Sequence, residues 1–242
     1  MNLVPLPASH GSQREQPPFR LEEWQMKSIS LALNEAWNRL STTHPDILNQ
    51  KEPITTIDIC DTLAQIQSDE IIAGFTQETF ETPDPNTQRR SAPGSALESR
   101  SNDFILRPSG YFPGGNKRKY GLIVESKRLK NKTHGLDEYV IEGMHRFIVD
   151  GDYAEYMAHA MMLAYSDGTY ELPSSLQEYL DNSQAKKVKI CRSNTAGRVL
   201  NYKSNCCVYV TSHNRNFKID GLFDATPIEI HHLWLVAHSK ST

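Results

Sequence analysis

The chain has 242 residues, 38% of them hydrophobic, which is enough for one sizeable buried core. Its formal charge of -3 argues against a protein that coats nucleic acid by bulk positive charge. Four cysteines (Cys60, Cys191, Cys206, Cys207) include no CxxC pair and so exclude the usual zinc-finger spacing.

Residues 1–20 are rich in Pro, Ser and Gln and read as a flexible arm ahead of a single domain over 21–242. No apolar run approaches a membrane span, and Met1 to Pro18 hold no hydrophobic signal core, so a cytoplasmic protein with no membrane partner is expected. The part over 21–80 is expected to be helical. Trp24, Ile29, Leu33, Ala36, Trp37 and Leu40 fall close to a helical stripe. Thr56 suits the N-cap of a second helix carrying Ile57, Ile59, Leu63 and Ile66. From Glu81 to Ser101 the composition is that of a loop.

Two strands are expected next, Asp103–Leu106 and Tyr120–Glu125. The Pro- and Gly-rich stretch from Pro108 to Asn116 makes them a β-hairpin with a long tip. A helix over Leu136–Val149 should bury Tyr139, Val140, Met144, Phe147 and Ile148. After a break at Asp150-Gly151, the Ala- and Met-rich run from Tyr153 to Tyr165 predicts a second, largely buried helix. The region 189–238 returns to strands, best seen at Val208–Thr211 and Ile228–Leu235. Adjacent Cys206 and Cys207 then point to opposite faces.

The string that carries chemistry is Gly121-Leu122-Ile123-Val124-Glu125-Ser126-Lys127. Alternation puts Glu125 and Lys127 on one face of a strand that is apolar up to its end. Glu125 offers a hard oxygen ligand for a divalent cation. Lys127 can orient or help deprotonate an attacking water, or stabilise charge building on a phosphate. Asp103, opening the neighbouring strand, could reach the same point.

Over 102–151 these elements resemble the PD-(D/E)xK superfamily of restriction-endonuclease-like nucleases. The matching parts are Asn102-Asp103, the hairpin tip, Glu125-Ser126-Lys127 and the helix that follows. Asn102 stands where the family often has Pro. The resemblance implies an α/β (α+β) fold, a central mixed sheet flanked by helices. It further implies a Mg²⁺- or Mn²⁺-dependent endonuclease acting on phosphodiester bonds, in DNA rather than RNA. Asp103 and Glu125 would hold the metal and Lys127 would assist. Many members add an acid from a preceding helix, for which Glu35 is the candidate, ahead of Glu22 and Glu23. By family analogy a role as an effector in bacterial or phage defence is expected, with a regulatory or targeting protein partner or a homo-oligomer supplying specificity. The alternative is a nuclease-fold subunit without catalysis that binds nucleic acid or a partner protein.

Lys117, Arg118, Lys119, Arg128, Lys130 and Lys132 flank the motif and predict a local positive rim for nucleic acid. His213 and Arg215 are further candidates for phosphate contact. Glu142 and Arg146, with helical i,i+4 spacing, could face the site as accessory residues or pair on the helix surface. Of His231 and His232 one should face inward, more as a satisfied core histidine than as a ligand.

Overall fold

Helix α1 (Glu23–Thr43) forms where Met26, Ile29, Leu33, Ala36, Trp37 and Leu40 give a continuous buried stripe. Trp24 lies ahead of that stripe and is 49% exposed. The computed structural model describes residues 18–85, 103–110, 120–130, 135–149, 154–182, 197–219 and 222–237. After a 3₁₀ turn (Ile47–Asn49), helix α2 (Glu52–Ser68) begins one turn before the expected cap. Pro53 sits in its first turn, where a missing N–H costs nothing. Thr56 is therefore inside the helix, and its hydroxyl donates to the Glu52 carbonyl.

The strands are β1 (Asp84–Pro85), β2 (Phe104–Leu106), β3 (Leu122–Leu129) and β4 (His159–Ser166). Further along come β5 (Arg198–Lys203), β6 (Cys206–His213), a small pair β7 (Lys218–Ile219) and β8 (Phe223–Asp224), and β9 (Ile228–Val236). Seven of them make one mixed sheet in the order β1-β2-β3-β4-β9-β6-β5. The expected hairpin is present as antiparallel β2–β3, with Phe104 opposite Val124. Strand β4 runs parallel to both β3 and β9, while β6 closes antiparallel on β9.

Between β3 and β4 the chain crosses over through a helical run. It comprises α3 (Gly135–Asp137), a π-helical stretch (Glu138–Met144) and α4 (His145–Ile148). Tyr139, Val140, Met144, Phe147 and Ile148 are buried as expected. Helix α5 (Ser174–Asp181) follows β4.

The helix expected over Tyr153–Tyr165 is overturned: residues 159–166 form β4, buried along its whole length. Ala and Met favour a helix locally, but this segment hydrogen-bonds on both sides to parallel neighbours and is covered on both faces. Such a strand reads as a continuous apolar run, without the alternation that marks a half-exposed one.

Register divides the sheet into two faces. Glu125 and Lys127 share one with Met162, Ala164, His232 and Trp234, beneath the helical run 135–148. There Tyr139 packs edge-on to Trp234 and its hydroxyl donates to the Met162 carbonyl. Val124, Ser126, Met161, Leu163, Tyr165 and His231 share the other face. This face meets α1 and α2, where Trp37 stacks on Tyr165 and Thr56 reaches Ser126.

Candidate active site at the end of strand β3

Strand β3 carries Glu125 into the interior, where it is 0% exposed, before its end emerges beside the N-terminus of α2. The expected side-by-side geometry is present: Lys127 Nζ donates to Glu125 Oε1 at 2.9 Å. Arg146, from the helical run, donates to the same oxygen at 2.8 Å. Gly143 lets the helical run lie close over β4, because a Cβ there would come within 2.4 Å of Met162 Cε.

Asp103 stands just before β2, and its Oδ2 accepts both the backbone N–H and the hydroxyl of Ser126, each at 2.5 Å. These bonds lock one carboxylate oxygen to the end of β3. The Asp103 charge acts on Glu125, Lys127 and Glu52 alike.

Glu52 was not singled out in the sequence. It is the first residue of α2; its Oε2 accepts the Arg128 N–H at 3.1 Å and its Oε1 lies 3.6 Å from Lys127 Nζ. The helical acid that lies beside Lys127 is Glu52, while Glu35 on α1 pairs with Arg39 at 2.9 Å. An acid immediately ahead of Pro in a helix's first turn was the available signal, but nothing in the sequence said which strand that turn abuts.

Electrostatics mark the cluster as unusual. Burial raises the Glu125 carboxyl to about 7, and the neighbouring Asp103 charge adds to this against the pull of Lys127 and Arg146. Burial likewise raises Glu52. For Lys127, burial favours the neutral amine, but Glu125 and Glu52 outweigh it and its pKa is raised. Lys127 is thus a firmly held ammonium. Glu125 Oε2 is buried without a hydrogen-bond partner. An orphaned carboxylate oxygen is costly, and Asp103 and Glu52 add negative charge nearby, although the three carboxylates do not all bring an oxygen within 4.8 Å of one another. Carboxylate oxygens such as Glu125 Oε2 suit a hard divalent cation.

The other expected residues fare differently. Arg146 faces the site, whereas Glu142 is exposed. Lys117, Arg118, Lys119 and Lys132, with Asn102 and the hairpin tip beyond Gly110, lie outside the described residues, as does Cys191. Arg128 donates its guanidinium to the Gln50 carbonyl, and Lys130 reaches Asn49 Oδ1 at 3.0 Å from an exposed position.

His213 and Arg215 are corrected. His213 is 0% exposed, with Nε2 2.7 Å from the Thr211 hydroxyl. Arg215 donates to the carbonyls of Thr226, Ala154 and Met157. It is 7% exposed and holds these carbonyls from inside, so its donors are directed at the protein's own backbone.

His232 is the satisfied core histidine, bridging Tyr139 Oη at 2.9 Å and Thr211 Oγ1 at 2.8 Å. His231, on the opposite face, has both ring nitrogens buried and unpartnered. Burial pushes its pKa down to about 3.

Among the described residues no helix is long and apolar enough to cross a membrane. Compared with family models, curated proteins and solved structures, the chain matches none of them.

Proposed function

We propose that this protein is a metal-dependent nuclease that hydrolyses phosphodiester bonds in DNA. The observation that carries the reading is the buried, unpartnered Glu125 Oε2 in a cluster with Asp103, Glu52 and Lys127 at the end of one strand. The PD-(D/E)xK resemblance supplies the reaction class, and the mixed sheet with its hairpin and crossover helix is compatible with it.

Glu125 and Asp103 would hold Mg²⁺ or Mn²⁺, with Glu52 beside Lys127 at the edge of the site. The metal, when bound, polarises the phosphate and lowers the pKa of a bound water. Ser126 fixes Asp103, so that carboxylate needs no reorganisation on binding. Arg146 and Lys127 compensate the Glu125 charge through Oε1 and leave Oε2 for ligation. Because Lys127 stays protonated, its role is to stabilise charge developing on the phosphate rather than to abstract a proton. Arg128, Lys130 and the basic residues 117–119 would contact the nucleic-acid backbone.

One observation favours a second reading, a binding subunit without catalysis: both cations already occupy Glu125 Oε1, as in a purely structural ion cluster. The test incubates the protein with plasmid, linear duplex, single-stranded DNA and RNA, in Mg²⁺, Mn²⁺ or EDTA, beside Lys127→Ala. Metal-dependent DNA cleavage that disappears in the variant is expected. Inert protein that also binds no Mg²⁺ or Mn²⁺ by calorimetry would establish the binding subunit instead. A defence role, with a targeting partner or self-association restraining the nuclease, belongs to the same proposal and rests on family analogy alone.

A further inference from the structure

His159 opens β4 and lies in register with Glu229 of β9, two residues before His231 on the same strand. The alternation of β9 puts Glu229 and His231 on one face, and the register brings His159 onto it. One ligand atom from each of the three lies within 4.8 Å of the other two, the one such group of three or more among the described residues. The two imidazoles meet edge to face, with centroids 5.3 Å apart.

Hydrogen bonding sets these histidines apart. His231 is buried with neither ring nitrogen partnered, and His159 is buried with Nδ1 unpartnered. A buried imidazole normally satisfies both nitrogens, as His232 does next door through Tyr139 and Thr211. Leaving one bare is destabilising unless something else takes its lone pair.

The cluster already faces positive charge. Arg20 Nη1 donates to His159 Nε2 at 3.0 Å and lies 3.4 Å from Glu229 Oε2. Arg20 thus contacts two of the three groups, which also lie 3.4 Å from each other (His159 Nε2 to Glu229 Oε2), and it does so from a side chain that is 62% exposed. Arg198 holds Glu229 through both oxygens, Nη1 to Oε1 at 3.0 Å and the longer Nη2 to Oε2 at 3.3 Å, and so orients the carboxylate; ligation through Oε2 would replace the longer bond.

We infer that His159, Glu229 and His231 form a second metal site, which takes a borderline divalent transition ion, Zn²⁺ first, with Arg20 as its stand-in when no ion is bound. Two imidazoles and one carboxylate form a ligand set for Zn²⁺ with a fourth position open. The oxygen cluster around Glu125 suits Mg²⁺ or Mn²⁺ instead. The two sites are separate: His159 lies three residues before Met162, the register partner of Glu125, and on the other sheet face. The second site does not depend on the nuclease reading. It would pin the start of β4 to β9 and to the segment around Arg20.

The full chain, stripped of metal with a chelator, is titrated with Zn²⁺ against a chromophoric competitor, with thermal unfolding followed in parallel and Co²⁺ used as a spectroscopic probe. His231→Leu removes one ligand and an orphaned polar group together, so it should fold at least as well without metal. Wild type is expected to bind one more Zn²⁺ than this variant, gain thermal stability from it, and give Co²⁺ visible bands that the variant lacks. Arg20→Ala, which removes the competing cation, should bind Zn²⁺ more tightly, on the order of tenfold. If His231→Leu does not fold, Glu229→Gln replaces it in the same comparison, with a loss on the order of a hundredfold in affinity expected. Equal Zn²⁺ uptake, stabilisation and Co²⁺ spectra in wild type and the ligand variant would overturn the site. So would a wild type that binds no Zn²⁺.

Discussion

Glu125 makes the stability of this protein depend on pH in a way a neutral isostere removes. Its carboxyl is raised from 4.5 to about 7 in the folded chain. Between those two values the folded state binds a proton that the unfolded state has released, so stability falls as pH rises through the window. At about 1.4 kcal/mol for each pH unit the whole effect is about 3 kcal/mol, complete by pH 8. The group is fully buried, so solvent screening takes little from this figure. Glu125→Gln keeps the shape and removes the charge. The variant should match wild type near pH 4.5 to within the altered hydrogen bonds to Lys127 and Arg146, and gain on it by about 3 kcal/mol toward pH 8. Urea denaturation of both proteins from pH 4.5 to 8.5 measures this, and the difference cancels histidines that titrate in the same range. Millimolar Mg²⁺ at pH 8 should close the gap by stabilising wild type alone. A difference that stays constant with pH would show that Glu125 ionises normally, and the argument for a poised ligand would fail.

Other expectations follow from neighbouring contacts. Asp103→Asn keeps an oxygen that can accept from Ser126 but removes one negative charge beside Glu125; Mg²⁺ affinity by calorimetry should fall on the order of tenfold or more, with the fold kept. Arg215→Ala should lose about 3 kcal/mol or more in denaturant melts, because it leaves buried carbonyls of Ala154, Met157 and Thr226 without their donor. Lys130→Ala, at an exposed position, should change stability by less than about 0.5 kcal/mol and instead weaken DNA binding with a shallower salt dependence. Gly143→Val drives a branched side chain against Met162 and toward Lys127; loss of about 1–3 kcal/mol is expected, with cleavage falling further than stability alone explains.

Much of this protein is written in local pattern. The stripe of α1, the hairpin punctuated by Pro and Gly, the alternation that sets Glu125 beside Lys127, and the strands β6 and β9 all follow from periodicity, which needs no knowledge of distant neighbours. What the sequence left open depends on partners far along the chain. Strand β4 is a helix by composition and a strand because β3 and β9 saturate it on both edges. His213 and Arg215 look like surface ligands until packing turns them inward, where hydroxyls and carbonyls hold them. Glu52 outranks Glu35 only because the start of α2 abuts the end of β3, a contact between residues 76 apart in sequence. The pairing of His159 with His231 was beyond local reading for the same reason. Periodicity states which face a side chain takes; which other faces it meets is decided by the order of strands in the sheet.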